Sequence, residues 1–220
     1  MKKIVVIITL SLLTTFSLTA QNFRFGLTAS PLLSWFGVSG DDVQSDGVKL
    51  GFQYGLLFEG NIGPADNYVF SSGLIINSAG GFLTGGDSSD VFYITIRSTY
   101  IEIPLSLKLR TNEVNYMRYY GQFGLTPGIN IKARYDQEDA NGNLIVDDYN
   151  LKEKTATGDK YNLFNVSLTL GLGAEYSLTE TTVLTGGLFF QNGFMNVYEN
   201  SVTNENIQLK QLGLRLGVLF

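Results

Sequence analysis

Eight charged side chains interrupt polar stretches that otherwise carry almost no charge: Arg24, Lys49, Glu59, Glu102, Lys108, Arg110, Glu175 and Arg215. Each lies where apolar and polar residues alternate, so each belongs to the polar face of its segment. On an enclosed face such charges persist when they are paired and hydrogen-bonded. The first reading is therefore a salt-bridge network that fills and fixes an interior. The second is a gated ion path or proton relay through the same groups. Charge reversal at Glu59 separates them: the first expects lower unfolding stability, the second altered conductance at unchanged stability.

A second constellation is acidic: Asp136-Gln137-Glu138-Asp139-Ala140-Asn141-Gly142-Asn143, followed by Asp147-Asp148. Carboxylates this dense suggest calcium, yet the spacing departs from a calcium loop, with no Asp at the fifth position and no Glu at the twelfth. Asn141-Gly142 is instead a strong hairpin signal, extending paired strands over 131–139 and 144–153. Weak surface Ca²⁺ or Mg²⁺ binding is compatible with that hairpin. The remaining loop acids (Asp41, Asp42, Asp46, Asp87, Asp90) read as solvated surface that could bridge divalent ions to lipopolysaccharide phosphates.

Other chemistry is excluded by composition. The 220 residues contain no His and no Cys. Ser-His and Cys-His triads, disulfides and thiolate metal sites are therefore absent. A carboxylate pair acting on glycosides needs neither residue, but no two loop carboxylates stand out. No catalytic set, cofactor site or metal site emerges. Fifteen Lys and Arg against twenty Asp and Glu give a net charge of −5, which argues against nucleic acid, since a phosphate binder needs a basic patch.

The elements that carry these residues are strands. Val48, Leu50, Phe52, Tyr54, Leu56 and Phe58 oppose Lys49, Gly51, Gln53, Gly55, Leu57 and Glu59. Ile101, Ile103, Leu105, Leu107 and Leu109 oppose Glu102, Pro104, Ser106, Lys108 and Arg110. The same period of two runs through Phe164–Tyr176 and Gln211–Phe220, and no long segment has helical spacing. Turn signals divide the chain into eight strands, roughly 22–36, 48–60, 68–82, 92–110, 116–135, 161–177, 182–198 and 207–220. Pro104, unable to donate to a ladder, marks a bulge or kink. Short connectors at 61–67, 111–115 and 178–181 alternate with longer ones at 37–47, 83–91 and 136–160. Ten shorter strands would require the 136–160 hairpin in the wall.

Alternation does not say which face is outside; a lipocalin-like barrel is apolar inside and would be a soluble ligand binder. Three features favour a membrane exterior. The polar faces are mostly Gly, Ser, Thr, Asn and Gln, and charged residues are only 16% of the chain. Aromatics gather near strand ends, as girdles at two interfaces would. Trp35, Phe36, Phe82, Phe92, Tyr93, Tyr135 and Tyr161 would form the outer rim; Phe23, Phe58, Tyr68, Tyr119, Tyr176 and Phe220 the inner one. The last strand ends on an aromatic. The expected fold is all-β: an eight-stranded antiparallel up-and-down transmembrane β-barrel, whose interior side chains just fill.

Met1-Lys2-Lys3 followed by the uncharged run Ile4–Leu18 and Thr19-Ala20 reads as a secretory signal peptide over residues 1–20. Residues 21–220 would form the barrel, integral to a Gram-negative outer membrane. The strand Tyr100-Ile101-Glu102-Ile103-Pro104-Leu105-Ser106-Leu107-Lys108 is similar to the Tyr-Leu-Glu-Ile-Pro-Leu-x-x-Lys strand of the PorT-like outer-membrane β-barrel family. Gly73-Leu74-Ile75-Ile76, Gly171–Tyr176 and Leu212–Phe220 support the resemblance. It implies a signal-bearing barrel without enzymatic activity, and for some members a part in protein secretion. Leu216, Val218 and Phe220 resemble the signal read by the barrel-assembly machinery. Expected partners are membrane lipid and lipopolysaccharide, that machinery, and a secretion complex. The function expected is envelope structure or an interaction platform.

Overall fold

The computed structural model describes residues 23–40, 43–62, 66–86, 91–151, 160–199 and 206–220. The signal-peptide segment and Asp41, Asp42, Asp87 and Asp90 lie outside these described residues. The strands are β1 (Phe23–Ser39), β2 (Val43–Ser45), β3 (Lys49–Asn61), β4 (Tyr68–Gly85), β5 (Phe92–Glu102), β6 (Leu105–Arg110) and β7 (Met117–Asp139). They continue with β8 (Leu144–Asn150), β9 (Lys160–Tyr161), β10 (Phe164–Ser177), β11 (Val183–Gly193), β12 (Tyr198–Glu199) and β13 (Asn206–Leu219).

Eight antiparallel staves close on themselves in chain order: β1, β3, β4, β5 with β6, β7, β10, β11 and β13, which returns to β1. The seam is tied by Phe25 and Phe220, whose amides donate to each other's carbonyls at 3.3 and 2.7 Å. Closure leaves no open edge over the span where all eight staves pair, the condition for a sheet in hydrocarbon, where unpaired backbone groups cost several kcal/mol each. β2 and β8 add to β4 and β7 outside the ring, so the 140–143 hairpin projects rather than widening the wall.

The alternating pattern sorts side chains as an outward apolar face requires. Phe25, Leu27, Phe52, Tyr54, Leu105, Leu170, Leu172, Leu188, Leu212 and Leu214 are all exposed. Their polar neighbours Ser30, Gln53, Asn77, Thr126, Thr169, Gln191 and Gln211 are buried. This is the reverse of a lipocalin-like barrel. At the end that carries the short turns, the β6–β7 connection turns on Asn115 and Tyr116, both with positive φ (53° and 65°), held by paired amide bonds between Val114 and Met117. Positive φ at two central residues is the type I′ geometry, whose twist matches the flanking strands.

Three girdle expectations change, and of the two readings of Pro104 the bulge falls while a local break in the strand stands. Pro104 interrupts the ladder between β5 and β6 without shifting register, since Ile75↔Glu102 and Ser72↔Leu105 fall on one antiparallel count. The bulge lies nearby instead, between Thr99 and Tyr100, opposite Asn130 and Lys132 of β7. Phe36 and Tyr161 do not form an outer girdle; both are buried inside the barrel, and Tyr135 packs against the same cluster. That cluster, with Leu32, Leu83, Ile96, Tyr100, Phe189, Ile207 and Leu209, fills the outer half of the lumen. Of the expected inner girdle, Phe23, Tyr68, Tyr119, Tyr176 and Phe220 are exposed and Phe58 is partly exposed.

Candidate functional site

The inner half of the lumen is organised by four of the eight charges. Lys108, projecting inward from β6, places Nζ 2.5 Å from Glu59 Oε1 and 2.6 Å from Glu175 Oε1. Two residues on, and therefore on the same face, Arg110 places Nη1 3.2 Å from Glu175 Oε2. The Arg110 guanidinium also donates to Asn61 Oδ1 at 2.9 Å and to the Asp66 carbonyl at 2.9 and 3.1 Å. All four side chains are buried, and two basic against two acidic groups make the cluster formally neutral. Lys108 also sits 4.3 Å above the Tyr120 ring. Space for Tyr120 comes from Gly173 and Gly187, where a Cβ would lie 2.6 and 2.7 Å from its hydroxyl.

The other four charges stand apart from this cluster. Arg24 is opposite Glu59 in the β1–β3 register, yet Glu59 turns to Lys108 and Arg24 lines the periplasmic rim near Asp66 and Glu180. Glu102 accepts from Asn77 Nδ2 at 2.8 Å, and Asn77 donates on to Gln211 at 3.1 Å. Arg215 donates to Gln122 at 3.1 Å and lies 5.1 Å from the Phe189 ring centroid; it does not meet Glu175. Lys49 is not in the lumen: its Nζ is 4.9 Å from the Phe82 centroid, in an outward groove. The reason is that β3–β4 pairing ends at Phe52↔Ser78, beyond which β4 takes β2 as its partner. β3 keeps β1 as its partner there, with Ser34 opposite Lys49, but its other flank is open, so the long Lys49 side chain reaches the outer groove through the gap.

Above the ionic layer, amides and hydroxyls link the staves, with Thr126 and Thr169 hydroxyls 2.7 Å apart and Gln191 donating to Thr169 at 3.3 Å. Tyr100 and Tyr161 share a hydrogen bond of 2.9 Å inside the apolar cluster. No sequence pattern separated these lumen-filling aromatics from lipid-facing ones, because both recur every second residue. Along the lumen the described residues give cations paired with carboxylates, then amides and hydroxyls, then an apolar plug. Leu216 and Val218 lie on the outward face of β13 and Phe220 follows it, Leu216 and Phe220 half exposed and the Phe220 ring 5.8 Å from the Phe25 ring.

The acidic hairpin is self-contained. Asp139 Oδ1 accepts from the amides of Asn141 and Asn143, both at 2.8 Å, and Oδ2 from the Asn143 side chain at 2.9 Å. Gly142 completes the turn at φ +80°. Asp136 and Asp148 bond Arg97 at 2.8 and 3.2 Å, and Asp148 also contacts Arg134. Among the described residues no three carboxylates converge on one point. The Asn143 side chain, and then its amide, hold the Asp139 carboxyl below its ordinary value. A lowered folded value means that the turn is supported above about pH 3.9 and loses this support as pH falls through the folded value. Carboxyl-carbon NMR of Asp139 therefore titrates below pH 3.9 and moves back toward it in Asn143→Ala. An ordinary midpoint in the native protein would overturn the assignment.

A closed eight-stave sheet, apolar outside and packed within, defines a protein integral to a Gram-negative outer membrane. The sequence agrees: residues 19–199 match the family described as outer membrane protein beta-barrel domain, and the chain belongs to that family. Two solved structures are similar to this chain, the first of them in fold. OprG of Pseudomonas aeruginosa is 13% identical, with 90% of this chain and 97% of that one covered and a TM-score of 0.50. The Neisserial surface protein NspA is 14% identical, with coverage of 90% and 95% and a TM-score of 0.46. No curated protein matches by sequence.

Proposed function

We propose that this barrel is a non-enzymatic outer-membrane element whose filled lumen makes it a rigid base for what it presents outside. The observation that supports this most is the double seal: the neutral Glu59–Lys108–Glu175–Arg110 cluster below and the Leu32–Phe36–Phe189–Leu209 cluster above. An ion crossing the first would separate buried charge pairs, and crossing the second would desolvate it entirely. Rigidity then benefits the external β7–β8 hairpin, which contributes the exposed Leu144 and Ile145. The purified barrel in planar bilayers should give no discrete conductance steps, and a deletion strain should export proteins normally but admit detergents. Steady ohmic steps from the native protein would overturn this reading.

A second, finer reading follows from the PorT-like resemblance: an accessory subunit of a secretion or assembly complex. The matching strand supports a shared interior, since Tyr100, Glu102 and Lys108 are all lumen anchors. It carries no partner-facing residue. Crosslinking to a secretion complex together with lost export on deletion would favour this reading. In either case Leu216, Val218 and Phe220 offer their outward face to the assembly machinery during biogenesis.

A further inference from the structure

The outer surface of the wall carries a cationic groove of about 550 Å³. Arg97 of β5 and Arg134 of β7 are directly opposed cross-strand partners, and two positions on, along the same face, Thr99 opposes Lys132. Like charges placed directly opposite each other destabilise a sheet. The bulge creates this arrangement. Below it the even-numbered residues of β7 point inward, as buried Asn130 does; above it Ala133 is buried and the even-numbered residues turn outward. Re-aiming a side chain is a recurrent use of a bulge. Lys49 arrives from the other side, where β3 leaves β4.

Charge in the groove is only partly balanced. Asp136 and Asp148 pair with the two arginines. Lys49 and Lys132 have no carboxylate within 4.0 Å among the described residues. A surplus of positive charge therefore stands on a chain whose net charge is −5. Beside the cations lie Leu50, 80% exposed, and Phe52, 46% exposed. Depth can be set from the periplasmic end. Arg97 is twelve residues above Leu109, which pairs with girdle residue Tyr68. At about 3.3 Å per residue and a tilt of about 40°, that rise is about 30 Å. An apolar band about 25 Å tall then places the cations at the level of the external headgroups.

We propose that this groove binds the phosphorylated headgroup of an outer-leaflet lipid, with Lys49 and Lys132 on the phosphate oxygens and Leu50 and Phe52 along the acyl chains. Arg97 and Arg134 set the positive potential while their carboxylate partners hold them in place. The site depends on the membrane placement of the barrel and is independent of what the external hairpin contacts.

The test is native mass spectrometry of the folded, full mature barrel in an uncharged detergent. It is titrated with bis-phosphorylated lipid A, with the same glycolipid stripped of both phosphates, and with inorganic phosphate. The native protein should prefer the phosphorylated glycolipid by about thirtyfold, the scale expected of two lysines at a membrane surface. Lys49→Gln combined with Lys132→Gln should abolish the preference, while Arg118→Gln, at the periplasmic rim beside Glu113, should keep it. Equal retention of the two glycolipids by the native protein would overturn the proposal whatever the variant does. So would a double variant that folds and keeps the preference. Inorganic phosphate bound as tightly as the glycolipid would reject the lipid as the occupant.

Discussion

Replacing Lys108 by Met should lower the unfolding free energy of the barrel by about 3–5 kcal/mol, the range for removing one partner from a buried ion pair. Lys108 bridges Glu59 and Glu175 at 2.5 and 2.6 Å. Without it two buried carboxylates face each other, and Arg110 remains on Glu175 alone. The loss should be read from urea unfolding in lipid vesicles, followed through Trp35, the sole Trp of the chain. Adding Glu59→Gln to Lys108→Met should restore part of the loss, because it removes one of the stranded charges. Glu59→Lys, which sets a second ammonium against Lys108, should destabilise on its own. If Lys108→Met left the unfolding midpoint unchanged while conductance appeared, the cluster would be a pathway and not a seal. The same set thus separates the two readings of the charged lumen.

How much of this was legible in the sequence depends on what period-two alternation can encode. It identifies Glu59, Lys108, Arg110 and Glu175 as members of one face, because face membership is local. It does not pair them. Lys108 meets Glu175 across 67 positions of chain, a contact set by strand tilt and stagger around the ring rather than by either strand alone. Hence Arg24 and Glu59 are level in register and yet not partners. Lys49 fails for another reason: parity fixes where a side chain leaves the strand, and because β3 parts from β4 just there while still paired to β1, a long side chain can reach round to the outer surface. Lys132 and Arg134 were hidden because one extra residue in β7 reverses the faces above it. Phe36 and Tyr161 mark a different limit, since the spacing of a lumen aromatic and a lipid-facing aromatic is the same. The hairpin at Asn141-Gly142 was readable outright, because its chemistry is contained within five residues from Asp139 to Asn143.

Leu172→Arg should cost about 2–4 kcal/mol in a bilayer, whereas Leu178→Arg should cost at most about 1 kcal/mol. Both leucines are exposed on the same stretch of chain, at 65% and 52%. Exposure alone therefore predicts similar effects, and in water an exposed Leu replaced by Arg changes stability by only about 0.5 kcal/mol. What differs is depth. Leu178 lies beyond girdle residue Tyr176, where an arginine head reaches water and phosphate. Leu172 lies four residues inside that girdle, about 10 Å along the normal at the usual rise and tilt. It is flanked by Leu188 and Gly121 on the adjacent staves, so neither direct cross-strand neighbour offers the guanidinium an acceptor. Its charge must then be stranded in hydrocarbon or drag water and headgroups inward. The comparison needs only folding in vesicles of defined thickness and the gel mobility of unboiled samples as the fold control. A ratio near one between the two variants would mean that the outward leucines of β10 meet water. The membrane placement, and with it the lipid groove at Lys49 and Lys132, would then fall together.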